Sequence, residues 1–118
     1  MAGHLEKGKE LGNVLGRTDE YQAVKRAIQA ADEDRDLSTL RSELEKLEAT
    51  IEASLRAGQE PDRETAVAYE HAVSQLQANP SYQRLVAAQA NFDKLMAKVN
   101  QAIAQGMEEG GQSRIILA

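Results

Sequence analysis

The feature that most constrains this chain is a run of apolar residues at alternating steps of three and four: Leu37, Leu40, Leu44, Leu47, Ile51 and, just after Ser54, Leu55. A helix brings side chains at that spacing onto one face, because 3.6 residues complete each turn. The opposite face pairs Arg41 with Glu45 and Glu52 with Arg56, at a four-residue spacing that contributes only about 0.2–0.5 kcal/mol per pair. Burying the six apolar side chains of this seam yields less than the ordering of its roughly twenty residues costs. The helix therefore needs a partner, from its own chain or from another.

A second stripe follows the same rule: Leu85, Ala88, Phe92, Leu95, Val99 and Ala102, widened by Met96 and Ile103. Three-four spacing suits shallow crossing angles. The two seams are expected to pack on each other, within one chain or across a dimer, with shorter helices around them. Helix packing or an oligomer interface is thus assigned to Leu37, Leu40, Leu44, Leu47, Ile51 and Leu55 on the first seam. On the second it is assigned to Leu85, Phe92, Leu95, Val99 and Ile103.

Local signals divide the rest. Leu5, Leu11, Val14 and Leu15 fit a short helix weakened by Gly8 and Gly12 and closed by Gly16. Thr18 stands where an N-cap belongs, with Asp19 and Glu20 in the first turn. The inner face of that second helix would be Tyr21, Val24, Ala27, Ile28 and Ala31. Gly58 ends the first seam and Pro61 lies in the turn beyond it. Asp62 then caps a fourth helix whose inner face reads Ala66, Tyr69, Val73 and Leu76. Asn79-Pro80 stops that helix and starts the next, since Asn is a good N-cap and Pro is well placed at the first helical position.

Gly106, Gly110 and Gly111 are expected to release the chain into a tail, whose apolar end Ile115, Ile116 and Leu117 either stays loose or docks in a groove. The expected organisation is one helical domain over 1–105 and a Gly-containing tail over 106–118. Ala, Leu, Gln, Glu, Lys and Arg dominate while β-branched and aromatic residues are scarce, which favours helix over strand. The fold class is all-α: an antiparallel bundle of about five helices, two of them long, forming a dimer.

Charge and composition narrow the function. The net charge is −5, and basic residues are spread singly among acids instead of forming a phosphate-binding stripe. Tyr21, Tyr69, Tyr82 and Phe92 make no repeated stacking platform, so direct nucleic-acid binding is not expected. The 118 residues include no cysteine, which removes disulfides, thiol catalysis and thiolate-held metals. A polar start and the lack of a long apolar run point to a cytoplasmic protein without membrane insertion.

Candidate chemistry gives way to structural readings. Asp32, Asp34, Asp36 and Glu43 match several ligand positions of a calcium loop, yet Leu37 stands where that loop needs a sharply turning Gly. Capping of a helix start accounts for these acids. His4 and His71 fit neither common helical metal motif, and Gly8-Lys9 is not a phosphate loop. No enzyme activity, cofactor or metal is expected. The leading expectation is an interaction or regulatory protein; the alternative is a ligand-carrying helical bundle with an apolar cavity near Tyr69, Phe92 and Met96.

Asp19-Glu20-Tyr21 opening a helix, Ala27 within it, the Leu-rich helix ending at Gly58, and Asn79-Pro80 followed by Leu85 and Ala88 together resemble the YlbF/YmcA family. The likeness runs from about Leu5 to Ile103. It implies a small bacterial cytoplasmic helical protein, often dimeric or joined with related helical proteins in a complex. In that family the complex regulates development, competence and biofilm formation. It is linked to the specificity of a membrane-associated endoribonuclease in messenger-RNA processing, where the family member is an adaptor and not the nuclease. Iron–sulfur clusters held on cysteines in some such complexes do not carry over to a chain without cysteine.

Overall fold

Helix starts leave backbone N–H groups without partners, and short polar side chains decide where such starts are stable. A computed structural model describes the backbone of residues 3–117 and the side chains of residues 3–112. It contains five α-helices and, among the described residues, no strand: α1 His4–Gly16, α2 Asp19–Glu33, α3 Arg35–Arg56, α4 Arg63–Ala78 and α5 Pro80–Leu117. The fold is all-α, and the two long helices are α3, of 22 residues, and α5, of 38.

Three caps sit where local chemistry puts them. The Thr18 hydroxyl accepts from the Tyr21 N–H at 3.2 Å and donates to the Leu15 carbonyl at 2.6 Å, so one group closes α1 and opens α2. Asp34 accepts from the Leu37 N–H at 3.1 Å, and Asn79 from the Tyr82 N–H at 2.9 Å. Asp62 departs from its expected role: it occupies the N-cap position of α4 but its side chain makes no capping bond, and only its carbonyl is engaged, by the Ala66 N–H at 3.0 Å.

Gly58 shows what a glycine must do to end a helix. With φ at 73° it turns left-handed, and the Gln59 and Gly58 N–H groups fold back onto the carbonyls of Ser54 and Leu55 at 2.9 and 3.0 Å. No other described residue has positive φ. The expected release at Gly106 accordingly does not occur: α5 continues through Gly106, Gly110 and Gly111 to Leu117, because glycine weakens a helix but stops it only where the backbone reverses. The docking expected of Ile115, Ile116 and Leu117 lies outside the described side chains.

The chain forms two compact units, one holding the residues up to Val24 and those from Ala88 on, the other Lys25–Ala87. In the second unit α3 packs on α4, its neighbour across the Gly58 turn. A short connection makes the adjacent helix the cheapest partner to reach. Ala27, Ala31, Leu37, Leu44 and Ala72 are buried here, Leu37 completely. Leu40, Leu47 and Ile51 are half-buried, while Leu55 is 62% exposed.

The expected inner faces of α4 and α2 are largely kept, with exceptions at Ala66, Tyr21 and Ile28. On α4 the inward residues are Thr65, Tyr69, Ala72, Val73 and Leu76, and Ala66 faces out. Ala66, Ala68 and Ala72 are equally hydrophobic, so packing and not hydrophobicity fixes which of them turns inward. On α2, Val24, Ala27 and Ala31 are buried but Ile28 is exposed. In the first unit Ala88 is buried, Leu95, Met96 and Val99 are half-buried, and the rings of Tyr21 and Phe92 meet at 5.7 Å and 59°. Leu85, in the other unit, is half-buried, and Ile103 is exposed.

Candidate functional site

Within the unit of residues 25–87 two helix starts are tied together. One oxygen of Asp34, Oδ1, caps α3 at Leu37; the other, Oδ2, accepts from Nδ2 of Asn79 at 3.3 Å. Asn79 is buried, and its Oδ1 caps α5 at Tyr82. The Leu37 N–H, the Ser81 hydroxyl, and then the Asn79 amide and the Asp36 N–H hold the Asp34 carboxyl below its ordinary value, against a smaller opposing effect of desolvation. Among the described residues no buried side-chain polar atom lacks a partner. A carboxylate engaged this fully is a structural link with no proton to give at neutral pH.

Beside this link runs an open cleft of about 440 Å³. Asp36, Thr39, Leu40 and Glu43 form its α3 wall, and Gln75 and Ala78 of α4, with Asn79 just beyond that helix, form the other. A wider hollow of about 710 Å³ lies along the start of α4, lined by Asp62, Arg63, Glu64, Val67, Ala68 and His71. Neither is lined by Tyr69, Phe92 or Met96; the Phe92 ring rests against Tyr21 instead. Asp34, the central carboxylate of the calcium-loop pattern, is spent on capping, and Leu37 is helical and fully buried.

The apolar residues that remain open are of a different kind. No residue of α1 is buried, and Leu5, Leu11 and Val14 are 75%, 37% and 54% exposed. Met107 on α5 is 72% exposed. Ion pairing contributes little: among the described residues the only pair is Arg56 with Glu52 at 2.6 Å, both exposed, whereas Arg41 and Glu45 make none. No helix among the described residues is long and apolar enough to cross a membrane.

Sequence reasoning does not single out the two walls of the cleft, although their spacing is present there. Positions 36, 39, 40 and 43 share one helix face, as do 75 and 78; their mixed polarity hides the pattern.

The sequence matches, over residues 5–108, the family described as control of competence regulator ComK, YlbF/YmcA. It is also similar to the UPF0342 protein of Leuconostoc mesenteroides subsp. mesenteroides, with 20% identity over 104 residues that cover 88% of this chain and 89% of the relative.

Proposed function

The chain belongs to the YlbF/YmcA family, described by its control of the competence regulator ComK, and from that premise we propose that it is a regulatory adaptor, a non-catalytic protein that acts by assembling with other proteins. The family match over residues 5–108 is the observation that carries this reading. Its form of action is helix-face contact, through the seam residues and the open apolar side chains Leu5, Val14 and Met107. Contiguous exposed apolar surface is what marks a protein–protein contact. The assembly is a homodimer or a hetero-oligomer with related helical proteins, in the cytoplasm, and the regulated step is messenger-RNA processing or another stage of developmental gene control.

The test is a deletion strain in which transcript 5′ ends are mapped and the gene is restored as wild type or as a Leu5→Glu, Met107→Glu variant. The adaptor reading expects altered transcript ends, restored by the wild type together with co-purification of a family member, and not by the variant. Unchanged transcripts and no co-purifying family member would overturn it.

A further inference from the structure

The cleft beside the Asp34–Asn79 link is built by α3, with Asp36, Thr39, Leu40 and Glu43, and by the end of α4, with Gln75 and Ala78 and the capping residue Asn79 just beyond it. Between its ends lie the apolar Leu40 and Ala78, with Thr39 beside Leu40, and its α3 wall carries a carboxylate at each end. No Lys, Arg or His lines it. Among the described residues neither Asp36 nor Glu43 has an ion-pair partner, although Arg35 and Arg41 lie nearby on the same helix. The start of α3 accounts for Asp36, since acids favour the positive end of a helix. It does not account for Glu43, two turns further along.

From this geometry we infer that the cleft receives a basic helix of a partner protein, with two Arg or Lys residues seven positions apart meeting Asp36 and Glu43 and apolar residues between them meeting Leu40 and Ala78. Seven residues at 1.5 Å rise span about 10 Å, which is the axial separation of Asp36 and Glu43 on α3 and of any two residues seven apart on a second helix. Guanidinium groups suit carboxylates because they donate two parallel hydrogen bonds. The Leu40 and Ala78 contacts, set between the two charged ones, give the docked helix a register. The inference rests on the adaptor reading for the existence of a protein partner.

The probe is a labelled helical peptide of about eighteen residues, otherwise Ala and Gln, with two Arg seven apart and two Leu between them on the same face. It is titrated into the full chain by fluorescence anisotropy, and circular dichroism confirms that each variant stays folded. The expected result is saturable binding that weakens about tenfold or more in the Asp36→Asn, Glu43→Gln variant, falls with added salt, and is unchanged in Glu48→Gln, an exposed carboxylate outside the cleft. The proposal is overturned by absence of binding, by a double variant that binds as tightly as wild type, or by spermine displacing the peptide as well as unlabelled peptide does, which would mark a site for free polycations. Assembly with family members is scored separately by sedimentation, so failure of the adaptor reading appears there and failure of the cleft in the titration.

Discussion

Asn79 and Asp34, 45 residues apart in sequence, cap two different helices, and the Asn79 amide donates a hydrogen bond to the Asp34 carboxylate at 3.3 Å. The start of α5 is thereby fixed to the start of α3, beside the fully buried Leu37. Replacing Asn79 by Ala removes both the cap and the link, and the expected loss is about 1–3 kcal/mol in urea unfolding followed by circular dichroism. Asn79→Ser keeps a capping oxygen on a shorter side chain and should recover part of that loss. Equal destabilisation by Ala and Ser would mean that the cap contributes nothing.

The Asp34 carboxyl, held below its ordinary value of 3.8 by the Leu37 N–H first and the Ser81 hydroxyl next, makes the link acid-sensitive. A depressed native pKa contributes stability that is fully present above the unfolded value and is lost as pH falls through the lower, folded one. The urea midpoint of the wild type should therefore exceed that of Asp34→Asn near neutrality, and the gap should close as pH falls below 3.8. A gap constant over that window would show that the charge on Asp34 plays no part.

Within the first seam the cost of truncation should follow burial. Leu37→Ala removes a completely buried side chain and should cost about 2–5 kcal/mol. Leu55→Ala, on a side chain 62% exposed, should change the stability of the chain by about 0.5 kcal/mol or less. Urea midpoints of the two variants compare them directly.

These contrasts show which parts of the fold are legible in the sequence. The α3 seam and the caps Thr18 and Asn79 can be read because their signals lie within a few residues. On α4 the expected Tyr69, Val73 and Leu76 face inward, but the choice of Ala72 over Ala66 is not legible, since the alanines at 66, 68 and 72 do not differ in hydrophobicity. The bond from Asn79 to Asp34 leaves no local trace at all. The cleft beside it is equally hidden, because it depends on α3 choosing α4 as its partner.

Glycine substitutions separate two roles that look alike in the sequence. Gly106 and Gly110 are helical, and an added Cβ meets nothing within 4 Å; changing either to Ala should raise the 222 nm helix signal and stabilise α5 by about 0.5–1 kcal/mol. Gly58, at φ 73°, should behave oppositely, with Gly58→Ala costing about 1 kcal/mol or more.

Assembly through helix faces is open to a direct measurement, sedimentation velocity of the full chain, alone and mixed with each related helical protein from the same genome. The expected result is a discrete homo- or hetero-oligomer whose population falls in the Leu5→Glu, Met107→Glu variant. A monomer in every mixture, or an oligomer indifferent to those substitutions, would contradict it.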